Sequence, residues 1–196
     1  MLNVKRDIRE RVRFFRSFLT NPRQVGAILP TSKRAVRDML DMANFEQARY
    51  VVELGAGTGV YTEEILKRLH PDARFLAFEI DPELVATLSE RFENRRLRII
   101  NDSAENVEKY LDGAKVDVIV SGLPYTSLPE TVKQNIFRQV TRVLALDGVM
   151  LVIQYSTMVQ RDLERIFASV RRRVSPLNVP PAFLFACSMA RGEATE

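Results

Sequence analysis

The chain has 196 residues, 46% hydrophobic and 28% charged, a composition that suits one soluble domain with a proper core and excludes a disordered or fibrous polypeptide. No apolar run is long enough to span a bilayer and the charged start lacks a signal-peptide core, while one cysteine (Cys187) and one histidine (His70) leave no internal disulfide, no histidine-built metal site and no His-based triad. A cytoplasmic, reducing location is the expectation. The net charge of +4 is unevenly spread: residues 1–23 hold seven Lys/Arg and two Asp/Glu, or +5, which leaves −1 for the rest.

In chain order, residues 4–19 have helical periodicity. At 100° per residue Val4, Ile8, Val12, Phe15 and Leu19 form one stripe flanked by Phe14 and Phe18, and Lys5, Arg6, Arg9, Arg13 and Arg16 lie opposite. Two readings fit this arm: a helix packed on its own domain with a solvated basic face, or a helix lying in a membrane interface. Asn21-Pro22 ends it, and residues 1–30 are expected as an arm and lead-in to a domain over 31–196. Thr31 or Ser32 is placed to cap a helix over 33–42.

Alternating strands and helices follow. Strands are predicted at 50–54, 75–79, 97–101, 116–120 and 149–154, with Asp147-Gly148 as the turn into the last of these. The intervening helices are expected over 60–69, 82–92, 104–111 and 130–144, and another over 158–168. Pro82 suits the first turn of its helix, and His70-Pro71 closes the one before. Two further strands are expected at 170–174 and 182–189. The five strands separated by helices predict a parallel α/β sheet with right-handed crossovers, whose ligand lies beyond the carboxyl ends of the strands. Arg171-Arg172-Arg173 reads as a solvated edge strand, with a lipid-facing role as the alternative. Cys187 reads as a small core residue.

The chemistry gathers at those strand ends. Val51-Val52-Glu53-Leu54 runs into Gly55-Ala56-Gly57-Thr58-Gly59, and an acid, Glu79, closes the next strand. Gly55 permits a tight turn, Gly57 lets a ligand lie against bare backbone, and Gly59 lets the following helix pack close. The Gly-x-Gly-x-Gly spacing, with Glu53 two residues before it, departs from the dinucleotide pattern. With Glu79 it resembles class I S-adenosylmethionine-dependent methyltransferases, whose fold is a Rossmann-like seven-stranded sheet. That resemblance implies S-adenosyl-L-methionine as cofactor and S-adenosyl-L-homocysteine as product. By the same resemblance Glu79 holds the ribose hydroxyls, Ile80 lies on the adenine face and Glu53 reaches the methionine ammonium. Asp102 accepts from the adenine amine, with Ser103 or Ala104 giving a backbone amide, and Tyr61 and Ser121 border the cofactor. Asp102 as a simple helix N-cap is compatible with this.

The loop after strand 4 reads Ser121-Gly122-Leu123-Pro124-Tyr125-Thr126-Ser127-Leu128-Pro129. Nucleobase amine methyltransferases carry an Asn/Asp/Ser-Pro-Pro-Tyr/Phe or Asn-Leu-Pro-Tyr motif here. This chain keeps Leu-Pro-Tyr but has Gly122 where the side-chain amide grips the base. With Gly26–Ser32, Gln154-Tyr155 and Asn178–Ala182, the loop resembles the bacterial phospholipid N-methyltransferases, enzymes that convert phosphatidylethanolamine stepwise to phosphatidylcholine. The family's Thr-Tyr-Gly after Gln154-Tyr155 is replaced by Ser156-Thr157-Met158.

The resemblance implies a phospholipid substrate and an anionic membrane surface as partners, no metal, a peripheral location on the inner membrane face, and membrane binding by the arm. Gly122, Leu123, Pro124, Tyr125, Ser127 and Tyr155 become candidate substrate contacts. Tyr125 is the candidate catalytic residue, holding a developing ammonium against its ring or taking a hydrogen bond at its hydroxyl, with simple loop packing as the alternative. An adenine-N6 methyltransferase of nucleic acid, and a non-catalytic cofactor-binding module, are the competing readings.

Overall fold

The computed structural model describes residues 32–176 and 181–190. The amphipathic arm, most of Gly26–Ser32 and most of Asn178–Ala182 lie outside them.

Ser32 is the N-cap of α1 (Lys33–Leu40), its hydroxyl accepting from the Ala35 N–H at 3.1 Å, a cap that contributes about 1 kcal/mol. The alternating units are β1 (Tyr50–Leu54), α2 (Val60–Arg68), β2 (Arg74–Phe78), α3 (Pro82–Arg91) and β3 (Leu97–Ile100). A 3₁₀ helix (Ala104–Tyr110), β4 (Val116–Ser121), α4 (Glu130–Val143), β5 (Leu144–Gln154), α5 (Gln160–Ile166), β6 (Ser169–Ser175) and β7 (Ala182–Ser188) follow. Pro82 opens α3 behind the Asp81 cap.

The strands form one seven-stranded sheet in the order β3-β2-β1-β4-β5-β7-β6. β3 to β5 are parallel, and β7 runs antiparallel between β5 and β6. The order reverses direction between β1 and β4, so the carboxyl ends of these two strands flank the switch point where such sheets bind ligands. Each face is covered. Val52, Leu54, Ile119 and Phe185 pack with α4, α5 and the 3₁₀ helix. Val51, Phe75, Val118 and Leu184 pack with α1, α2 and α3. Period-two alternation along β1 therefore points Glu53, with Val51, toward the α2 layer.

Two expectations are corrected. β5 starts at Leu144, directly after α4, and not at 149. Between Leu144, opposite Val116, and Val149, opposite Val118, the register shifts, so Asp147-Gly148 belongs to an irregular stretch inside the strand. A Cβ on Gly148 would lie 2.8 Å from the Val116 carbonyl oxygen, so only glycine passes so close to β4. The N-cap of the 3₁₀ helix is Ser103, whose hydroxyl accepts from the Glu105 N–H, and not Asp102.

Candidate functional site

The glycine turn is held from below by β2. The N–H groups of Gly55 and Ala56 both donate to the Phe78 carbonyl, at 2.9 and 3.0 Å. Gly55, Gly57 and Gly59 all have positive φ, at 80°, 55° and 81°. Their surroundings separate them. A Cβ on Gly59 would lie 2.6 Å from the Phe92 ring, and one on Gly55 would lie 2.8 Å from the Leu123 side chain. A Cβ on Gly57 would meet nothing within 4 Å. Gly57 thus presents open backbone where a ligand can approach, and the other two glycines are packing positions.

Glu79 joins this turn to the end of β2. One carboxylate oxygen accepts from the Gly57 N–H at 2.8 Å and the other from the Asp81 N–H at 2.9 Å. Asn101 fixes the backbone around it, donating to the carbonyls of Glu79 and Ile80. Burial pushes the Glu79 carboxyl up, against the lowering effect of the backbone donors at Asp81 and Gly57. Each oxygen retains lone-pair capacity for one more donor, which suits a pair of ribose hydroxyls.

Glu53 is fully buried. One oxygen accepts from the Thr62 hydroxyl at 2.7 Å, and the other has no hydrogen-bond partner. Burial raises its pKa to about 8, with the neighbouring Glu79 charge adding to the shift and the Thr62 bond opposing it. An orphaned carboxyl oxygen beside an open glycine turn fits the ammonium of a methionine moiety.

Asp102 follows β3. Its oxygens accept from the Ser103 N–H at 2.7 Å, the Asn106 amide at 2.9 Å and the Tyr110 hydroxyl at 2.8 Å. Partial burial pushes Asp102 up, but the donors from Asn106, Tyr110 and Ser103 hold it below the usual carboxylate range. Tyr110 in turn makes an edge contact with the Phe78 ring, 5.4 Å between centroids. Ile80 and Ser103 are half-buried at the same edge and Ala104 is buried.

The loop after β4 is stitched to its neighbours. The Gly122 N–H donates to the Leu54 carbonyl, and Gln154 at the end of β5 donates to the Leu123 carbonyl at 2.8 Å. A Cβ on Gly122 would lie 3.1 Å from the Tyr61 ring and 3.3 Å from the Gly55 carbonyl oxygen. The absent side-chain amide is therefore matched by an aromatic ring in close approach. Gly122, Pro124, Ser127 and Tyr155 are half-buried at the sheet edge, and Leu123 and Tyr61 are buried beneath it.

Tyr125 does not present its ring to a substrate in this conformation. It is 2% exposed, stacks on Phe137 of α4 at 4.8 Å, and shares a 2.9 Å hydrogen bond with the buried Ser121 hydroxyl. Burial pushes its pKa up, so it stays a neutral phenol. The packing reading of Tyr125 fits this geometry and the cation–π reading does not.

Thr62, Asn101, Asn106, Tyr110 and Gln154 position the candidate ligands, yet motif spacing gave no role to the first four. Thr62 has the clearest signal, an alcohol in the first turn of the helix that follows the glycine loop. The other three act through contacts that only the fold creates.

Among the described residues, no group of three or more His, Cys, Asp or Glu side chains is placed to hold a metal ion. No helix among them is long and apolar enough to cross a membrane.

Comparison with known proteins agrees with this geometry. A methyltransferase-domain family model matches residues 51–148, the stretch from β1 to β5. An ornithine lipid N-methyltransferase from Singulisphaera acidiphila is 34% identical over 179 residues, covering 89% of this chain and 93% of the relative. A ribosomal RNA small subunit methyltransferase A from Pediococcus pentosaceus is 32% identical over 116 residues, but covers 55% of this chain and 37% of that protein. Among solved structures, a SAM-dependent methyltransferase from Aquifex aeolicus aligns with a TM-score of 0.64 at 16% identity, covering 79% of this chain and 89% of that one. The chain therefore belongs to the class I methyltransferase family, whose methyl donor is S-adenosylmethionine.

Proposed function

We propose that this protein transfers methyl groups from S-adenosylmethionine to the amine nitrogen of a membrane-lipid head group, with phosphatidylethanolamine and its partly methylated forms as the substrate series. The observation that carries the lipid reading is the 34% identity to an ornithine lipid N-methyltransferase over nearly the full length of both chains. Gly122 supports it, because a nucleobase acceptor would lack its side-chain amide there. The match to the RNA enzyme covers about half of this chain, 55%, and 37% of that protein.

When bound, the cofactor supplies an electrophilic methyl group on a sulfonium. Glu53 would take the ammonium on its unpaired oxygen, Glu79 the ribose hydroxyls, and Asp102 the adenine amine. The bare backbone at Gly57 would lie along the methionine part. Gln154, Leu123 and Gly122 would set the floor on which the acceptor nitrogen approaches, and Tyr155 and Ser127 would border the head group. Displacement at such a methyl would consume the sulfonium charge, so holding the acceptor nitrogen on the floor of Gly122, Leu123 and Gln154 would supply most of the rate. Tyr125, a buried neutral phenol, is assigned to holding the loop.

Phosphatidylethanolamine and an ornithine lipid share a primary amine but differ in phosphate, and initial rates on vesicles of each decide between them. The proposal expects faster transfer to phosphatidylethanolamine. Faster transfer to the ornithine lipid would keep the amine chemistry and replace the head group. Transfer to neither would remove the lipid reading.

A further inference from the structure

Among the described residues, three large hydrophobic side chains stand exposed: Leu146 at 77%, Met158 at 73% and Val174 at 48%. Their positions on the sheet are not alike. Val174 on β6 pairs with Phe183 on β7, and Phe183 pairs with Gln154 at the carboxyl end of β5. Met158 lies four residues beyond Gln154, ahead of α5. Both therefore sit at the sheet edge that carries the glycine turn and the β4 loop. Leu146 lies at the opposite edge, in the irregular first stretch of β5.

The even-numbered residues of β6 face α5, because Arg172 donates to the Gln160 side chain at 2.9 Å. The odd-numbered ones face α1, because Arg171 reaches the Met42 carbonyl and Ser175 donates to Asp38. Val174 is thus on the α5 side, as Met158 is by its place before that helix. Exposed cations flank the pair on that side: Arg161 in the first turn of α5, and Arg172, two residues before Val174 on the same face of β6. Of the acids of α5, Asp162 holds Lys133 at 2.6 Å, and Glu164 takes the amide of Gln160, whose oxygen accepts from Arg172.

We infer that this rim, Met158 and Val174 flanked by Arg161 and Arg172, seats the protein on an anionic lipid bilayer. Apolar side chains flanked by arginine, at the edge where the acceptor must arrive, match a surface of negative head groups over hydrocarbon. The inference takes its motive from the lipid-amine reading, but its test needs no methyl transfer.

The chain contains no tryptophan, so one introduced indole reports alone. Full-length Met158→Trp and Leu146→Trp are mixed with phosphatidylcholine–phosphatidylglycerol vesicles, which hold no primary-amine lipid. The expected result is a blue shift, and quenching by brominated acyl chains, for Met158→Trp and neither for Leu146→Trp. In co-sedimentation, Met158→Ser/Val174→Ser should weaken vesicle binding about tenfold while Leu146→Ser leaves it unchanged. Unshifted emission from Met158→Trp, whether or not the protein sediments, overturns the rim. If the rim indole shifts but no lipid amine is ever labelled, the rim stands and the lipid-amine function falls. The reverse pair of results leaves the function and removes the rim.

Discussion

Glu53 combines a buried carboxyl with an unsatisfied oxygen, and that pairing has a measurable consequence. Its pKa, near 4.5 in an unfolded chain, rises to about 8 in the fold. Between those values the folded state binds a proton that the unfolded state has released. Stability from this group is therefore fully present below pH 4.5 and is lost as pH rises through about 8, at up to roughly 1.4 kcal/mol per pH unit. Glu53→Gln should flatten that dependence and leave the ligand-free protein more stable than the parent at pH 8 to 9, as thermal denaturation across pH will show. The same variant should bind cofactor more weakly, because an amide cannot pair with an ammonium. In the parent, cofactor affinity should rise with pH toward 8. Glu79 has a different signature: Glu79→Ala removes acceptors from the Gly57 and Asp81 N–H groups as well as from the ribose. Cofactor affinity by calorimetry should fall at least tenfold, about 1.4 kcal/mol. Unchanged affinity would mean that Glu79 only braces the turn.

At the scale of elements, the glycine turn and the β4 loop behave as one unit, since Gly55 has no room for a Cβ against Leu123 and Gln154 holds the Leu123 carbonyl. Gly59→Ala should destabilise the fold by about 1–2 kcal/mol from its left-handed backbone, and by more from the Phe92 contact. Gly57→Ala should carry the backbone cost alone but block cofactor, a split that melting and binding measurements resolve together. Tyr125→Phe should cost about 1 kcal/mol of stability through the lost Ser121–Tyr125 hydrogen bond and leave kcat near the parent value. A large loss of kcat in a stable Tyr125→Phe protein would restore a role in the reaction. These elements were unevenly legible in the sequence. β1 appears at its expected bounds because an apolar run stops at glycine, and Ser32 caps where its type and place foretold. The start of β5 was hidden because α4 passes into it without a turn, and the glycine that looked like a turn serves a close strand contact. The two readings of Tyr125 stayed open in the sequence because a loop aromatic shows no periodicity to reveal which way it faces. Phe137, which receives it, lies a helix away in α4.

For the whole molecule, the sheet brings Glu53, Glu79, Asp102 and the β4 loop to one edge, and β5, β6 and the approach to α5 extend that edge with Met158 and Val174. The basic arm of residues 1–23 adds +5 to a remainder of −1. If the arm also binds membranes, deleting residues 1–19 should lower vesicle co-sedimentation, and in the intact chain binding should rise with anionic lipid and fall with salt. Unchanged binding after the deletion would leave the rim as the sole anchor. The alternation of strands and helices made this architecture legible before any coordinates. The rim was not, because Met158 and Val174 are far apart in sequence and become neighbours in height only through β7 pairing on both sides. The central claim is that the acceptor is a lipid amine. The most direct test offers phosphatidylethanolamine vesicles and unmodified ribosomal RNA together to the full-length protein with methyl-labelled S-adenosylmethionine. Label in the lipid fraction, as methylated head groups, is the predicted result; label confined to the RNA would contradict it.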